Sequence, residues 1–221
     1  GLCSATGIAQ QIRESGSIQQ VDDNSGRENP EVLPATPVDQ LLSDLEMESL
    51  FGSLCHFVIE QRLRRPDTDQ AKTEIAMRAK KGFRQKLQEG DWEKVYQAAE
   101  QLCDGWFCSQ AAEELGILPG AAGAEGAFHA GYPRIIPERP FIQRQTVDGK
   151  EMLVQGIMDI TIEYEDRLQI IDFKTDRNWS VRHHQQQMLI YKQAGLAMSG
   201  KPVEVFLVPL RSAKAYRVLA D

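Results

Sequence analysis

Asp159, Asp172 and Lys174 are the residues whose types and spacing best suit chemistry. Asp159 ends the apolar run Val154-Gln-Gly-Ile-Met158, and Asp172-Phe-Lys174 ends another, Leu168-Gln-Ile-Ile171. Both runs are β-prone and a turn at Glu163–Arg167 separates them, which predicts a hairpin. Asp172 and Lys174, two residues apart, project from one face of a strand, and the hairpin brings Asp159 opposite them. Two carboxylates beside an ammonium group make a site for a hard divalent cation and a water to be activated. That is the chemistry of metal-dependent phosphodiester cleavage.

The tripeptide alone is a weak signal. With 14 Asp and 10 Lys in 221 residues, roughly 0.6 Asp-x-Lys pairs arise by composition alone. The plain alternative is a solvent-facing ion pair at a strand end. The setting argues against it, because an unpaired charge at the end of an apolar strand is costly and a surface pair needs no such surroundings.

Other residues share the pattern. Gln187 and Tyr191 are four apart on a helix that Ser180 would cap, on one face with His184; a polar stripe on a half-buried helix is the alternative. His56 lies among Leu54, Cys55, Phe57, Val58 and Ile59, where a hydrogen-bonded core histidine is the alternative to a ligand. Glu60, one turn later, would orient its ring.

In chain order, Gly52-Ser-Leu-Cys-His56, Glu138-Arg-Pro-Phe141, Gly156-Ile-Met-Asp159, Asp172-Phe-Lys-Thr-Asp176 and Gln187 with Tyr191 resemble the PD-(D/E)xK nuclease superfamily. Within it they resemble the RecB-like nuclease domain at the C-terminus of AddA and RecB helicase–nuclease subunits. Ser4-Ala-Thr6 is similar to the segment that opens this domain in relatives. The resemblance implies that His56, Asp159 and Asp172 hold a metal, with the backbone carbonyl of Phe173 as a further ligand. Lys174 would orient or deprotonate the attacking water and stabilise charge on the scissile phosphate. Gln187, Tyr191 and Glu138 would support the site or touch DNA, the role of Glu138 differing among relatives.

The same resemblance implies Mg2+, with Mn2+ as a substitute, and exonucleolytic cleavage of single-stranded or unwound DNA in double-strand break repair. It implies a helicase region in the same polypeptide and a second helicase–nuclease subunit as partner. A stand-alone nuclease of the superfamily is one alternative. A degenerate, non-cleaving DNA-binding domain is another, and the intact set His56, Asp159, Asp172 and Lys174 argues against it; a structural docking domain is a third, favoured by the acidic arm and neutral body. Relatives with an iron–sulfur cluster carry a group of cysteines after the Gln-x-x-x-Tyr helix; no cysteine follows Tyr191, so no cluster is expected.

Charge is unevenly placed. Residues 1–50 hold nine acids and two bases, whereas residues 51–221 hold 23 of each. The body is thus neutral, with basic groups at Arg134, Arg139, Arg144, Arg177 and Arg182, and is expected to bind DNA weakly without a partner. Cys3, Cys55, Cys103 and Cys108 form no CxxC pair, and Cys55 and Cys103 read as reduced core thiols. With no signal peptide and no apolar run near 18 residues, a soluble cytoplasmic protein without a membrane partner is expected. The missing initiator methionine suggests an excised fragment. Gly195-Leu-Ala-Met-Ser-Gly200-Lys201 has P-loop spacing, but Pro202 replaces the Ser/Thr and the segment runs from helix to strand, so no ATP site is expected.

These residues need a scaffold. Residues 1–40 read as an acidic arm or loop leading into a domain over 41–221. Helices are predicted at 42–64, 70–88 and 92–115, the third capped by Asp91 and stopped by Gly116. Pro119–Pro133 reads as a long loop. Strands follow at 140–146, 151–164 and 168–174, then a helix at 181–198 and strands at 203–209 and 214–219. This is an α/β fold: a restriction-endonuclease-like core whose mixed central sheet is flanked by helices, with an added N-terminal helical layer.

Overall fold

A computed structural model describes residues 2–4, 31–32, 39, 42, 45–87, 90–122, 133–147 and 150–218. Its elements are β1 (Leu2–Ser4), β2 (Glu31–Val32), α1 (Leu45–Leu63), α2 (Asp69–Phe83), α3 (Trp92–Phe107) and α4 (Gln110–Glu114). There follow β3 (Arg134–Val147), β4 (Lys150–Glu163), β5 (Leu168–Lys174), β6 (Asn178–Trp179), α5 (Val181–Ser199), β7 (Val203–Pro209) and β8 (Tyr216–Val218).

Local chemistry sets most of these limits. The Thr68 side chain caps α2 by accepting from Ala71 N–H, and Ser180 caps α5 by accepting from His183 N–H. Gly200, in left-handed conformation, ends α5 before Lys201-Pro202, the helix stop expected there. The expected 92–115 helix is instead two helices, because the Ser109 hydroxyl accepts from Ala112 N–H and starts α4 anew. Asp91 makes no side-chain cap for α3; its carbonyl accepts from Val95 N–H instead. Gly116 follows α4 at φ +68.

β3 starts at Arg134, six residues before the expected strand. It carries Pro137 and Pro140, which an edge strand tolerates because it pairs only with β4 and can spare N–H donors. Its antiparallel register with β4 runs from Arg134↔Glu163 to Val147↔Lys150. The tip of that hairpin, 148–149, and residues 123–132 of the expected long loop lie outside the described residues.

The six-stranded mixed sheet has the order β1-β4-β5-β7-β8, with β3 on the other side of β4. β5 and β7 run parallel, connected by α5. One edge of β4 is shared by two strands. β1 pairs in parallel with Leu153–Gln155, and β5 pairs antiparallel with Ile160–Glu163. Neither strand pairs with 156–159, so the sheet forks there.

Two apolar clusters fill the space around the sheet. Phe51, Leu54, Val58, Ile59, Val95 and Trp106 of the early helices pack with Ile160, Ile162, Ile171 and Phe173. Met188, Tyr191 and Ala194 of α5 pack with Val154, Met158, Leu168, Ile170, Val205 and Leu207. α5 comes very close: a Cβ at Gly195 would lie 2.8 Å from Ile170 Cδ1.

The stretch read as an acidic arm enters this fold at several points. β1 joins the main sheet, β2 pairs with β6, and Asp39 is tied to Arg211; just past this stretch, Leu42 is buried in the helical cluster. Residues 5–30 and 33–38 lie outside the described residues.

Candidate active site

The fork between β4 and β5 is bridged by a side chain. The β4–β5 ladder ends at Ile160↔Ile171. Two residues further along β5, Phe173 N–H donates to Asp159 Oδ2 at 2.7 Å, so a carboxylate replaces the missing backbone acceptor. The other oxygen, Oδ1, lies 3.2 Å from His56 Nδ1. Asp159 thus joins α1, β4 and β5.

His56 reaches this point because α1 crosses close to the segment after β5. A Cβ on Gly52 would lie 3.2 Å from Thr175 Oγ1, so the glycine of the Gly-x-x-x-His block permits the approach one turn before the histidine. The His56 ring sits edge-on to Phe173, with centroids 6.4 Å apart. Glu60 does not orient that ring as expected. Its carboxylate accepts from Arg64 and from Gln61, and the partner of His56 is Asp159.

On β5, Asp172 is almost fully buried, and its Oδ2 lies 2.8 Å from Lys174 Nζ. The ammonium group of Lys174 is thus the charged partner of that buried oxygen. Lys174 Nζ donates to Gln187 Oε1 at 3.1 Å. Gln187 Nε2 in turn donates to Tyr191 OH at 2.9 Å, and Tyr191 OH donates to the Ile157 carbonyl at 2.9 Å. Because Tyr191 spends its proton on the carbonyl, its oxygen is the acceptor for Gln187, and this orients the amide oxygen toward Lys174. The chain begins and ends at the fork.

Electrostatics follow from this crowding. Burial works to lower the His56 pKa, but the charge and hydrogen bond of Asp159 outweigh it and raise it to about 9. Burial opposes ionisation of Asp159, yet His56, Lys174 and the Phe173 N–H hold its pKa below the ordinary carboxylate value. Asp172 goes the other way: burial, with Asp159 beside it, pushes its pKa up against the pull of Lys174. Burial would lower the Lys174 pKa, but Asp172 and Asp159 raise it, so Lys174 is a cation here. Burial raises the Tyr191 pKa and the hydroxyl stays neutral.

One feature fits a divalent cation: one ligand atom each from His56, Glu138 and Asp159 lie within 4.8 Å of one another. Imidazole and carboxylate donors without thiolate suit magnesium or manganese. Asp172 stands beside this trio, held by Lys174.

The remaining candidates fall around an open groove of about 720 Å³ lined by Ser53, His56, Glu138, Lys174, His184 and Gln187, among others. His184 pairs with Asp176 at 3.5 Å. Of the basic groups noted above, Arg139 and Arg134 both lie against Glu163, and Arg144, Arg177 and Arg182 are exposed.

One supporting pair carried no sequence signal. Arg211, after β7, is almost fully buried and binds both oxygens of Asp39, at 2.7 and 3.2 Å. Its Nε donates to the Thr175 carbonyl at 2.8 Å, and Leu210 N–H donates to the Lys174 carbonyl at 2.9 Å. The backbone that carries Lys174 is thereby clamped from behind.

The family model of the PD-(D/E)XK nuclease superfamily matches residues 33–219. A search of curated proteins finds no match. A solved structure described as "Crystal structure of SSO0001" is similar at 15% identity and a TM-score of 0.32, covering 80% of this chain and 79% of that one. A likeness that distant adds nothing to the argument.

Proposed function

The chain belongs to the PD-(D/E)XK nuclease superfamily, and we propose that it is a magnesium-dependent deoxyribonuclease that acts as an exonuclease on single-stranded or unwound DNA. The observation that carries this reading is Asp159 bridging the fork, with His56 on one side and the Asp172–Lys174 pair on the other. In this reading His56, Asp159 and Asp172, with the Phe173 carbonyl, would hold the cation. When bound, a divalent cation supplies charge at the scissile phosphate and lowers the pKa of water.

The chain's own groups do the rest. Lys174 is charged, so it serves better as a donor to a phosphate oxygen and to the attacking water than as a base. Gln187 and Tyr191 hold its ammonium group in place. The groove between α1 and α5 would take the strand, with few fixed cations along it.

We further propose that this domain belongs to an AddA/RecB-type helicase–nuclease acting in double-strand break repair, with a helicase region in the same polypeptide and a second subunit as partner. The order and spacing of the motif blocks support this, and so does the neutral charge of residues 51–221, which suits a domain handed its DNA by a motor. A reading frame that continues upstream into a helicase with its own P-loop would support the assignment; one that does not would remove it. Cytoplasmic residence is part of the same reading. Among the described residues, no helix is long and apolar enough to cross a membrane.

The activity is tested by incubating the protein with labelled single-stranded DNA and Mn2+ or Mg2+, with an EDTA control. Metal-dependent loss of label from full-length strands is the expected outcome. Intact DNA at all metal concentrations, with or without the helicase region, would rule the reading out.

A further inference from the structure

We propose that Glu138 is a further metal ligand, which joins His56 and Asp159 in holding the cation on the α1 side of the fork. This rests on reading the site as a metal-dependent one, and it adds a residue whose role was otherwise support or DNA contact.

Two observations converge. First, the ligand atoms of His56, Glu138 and Asp159 lie within 4.8 Å of one another. Two atoms bound to one cation at about 2.1–2.4 Å are separated by no more than about 4.8 Å, so the trio already has the spread of a ligand set. Second, Glu138 is half-buried and makes no hydrogen bond or ion pair among the described residues. The acids around it do: Glu163 holds Arg139, Glu60 holds Arg64, and Asp159 holds the Phe173 N–H. Among the charges around Glu138 the Asp159 carboxylate acts on it most strongly and repels it, with His56 as the opposing attraction.

The backbone aims Glu138 at this point. The rungs on either side, Pro137↔Ile160 and Arg139↔Met158, place Glu138 opposite Asp159. Its φ of +53 is one that residues with a side chain rarely adopt, and Pro137 and Pro140 flank it. A strained residue that turns an unpaired carboxylate toward another carboxylate and an imidazole is explained by a cation between them.

The test is Mn2+ titration of the full chain followed by electron paramagnetic resonance, comparing wild type, Glu138→Gln and Asp159→Asn. Glu138→Gln keeps the shape and removes the charge. Its Mn2+ affinity should fall at least 10-fold, and that of Asp159→Asn further. If Glu138→Gln binds within 2-fold of wild type while Asp159→Asn loses Mn2+, the proposal is overturned and the nuclease reading stands. If Asp159→Asn also binds like wild type, the metal site itself is misplaced and both fail. Should Glu138→Gln not fold, anomalous scattering from Mn2+ in wild-type crystals decides. A peak at ligand distance from Glu138, roughly 2.2 Å, supports the proposal, and one more than roughly 5 Å away overturns it.

Discussion

Glu138 stands opposite Asp159 on neighbouring strands, and both strands change face at that rung. On β4, Val154 and Met158 pack with α5, whereas Ile160 and Ile162 pack with the early helices. On β3, Phe141 packs on the α5 side and Ile135 on the other. In a regular strand, positions two apart share a face, so each strand must turn over between these residues. The irregularity lies where Asp159 must reach both α1 and β5, and irregular strand backbone of this kind re-aims side chains beside active sites.

A left-handed conformation costs a residue with a Cβ roughly 1–2 kcal/mol. Replacing Glu138 with Gly should therefore give a protein about 1 kcal/mol more stable than replacing it with Ala, as read from urea unfolding. Ala equal to or better than Gly would mean the backbone relaxes and holds no strain.

Asp39 is paired with a buried arginine, and removing it leaves that charge short of its carboxylate. Asp39→Ala should cost about 3 kcal/mol, the lower end for breaking a buried pair. A loss below about 1 kcal/mol, within the range of a surface pair, would show that the entry segment is an appendage, as its composition suggested.

Tyr191→Phe removes the hydroxyl that orients Gln187 and leaves the Ile157 carbonyl without its donor. Cleavage should fall roughly tenfold, about 1.4 kcal/mol of barrier, while Mn2+ affinity stays at the wild-type value. An equal fall in metal binding would mean that Tyr191 supports β4 rather than Lys174.

Much of this site was legible in the sequence, for local reasons. β5 and β7 match their expected bounds to the residue because each is a short apolar run between turn signals, and α5 starts at a serine cap and stops at a glycine. Asp159, Asp172 and Lys174 meet as the hairpin requires. The face change on β4 was not legible, because Val154, Met158, Ile160 and Ile162 share one parity and a period of two places them together. The Asp39–Arg211 clamp joins residues 172 apart in sequence, and no local pattern marks such a pair. The helix break at Ser109 was missed because the apolar spacing continues through it, and only the serine betrays a new start.

Lys174 separates a nuclease from a metal-binding relic, because it touches no proposed ligand except Asp172 and would act on the phosphate and water. The most direct measurement is the rate of Mn2+-dependent cleavage of single-stranded DNA by Lys174→Ala, with Mn2+ affinity determined on the same sample. Metal binding should persist while cleavage drops roughly 10²–10⁴-fold, the range for one positioned proton-transfer or charge-stabilising group. Cleavage at the wild-type rate would contradict the account, and Asp172-Phe-Lys174 would then be no more than a buried ion pair at a strand end.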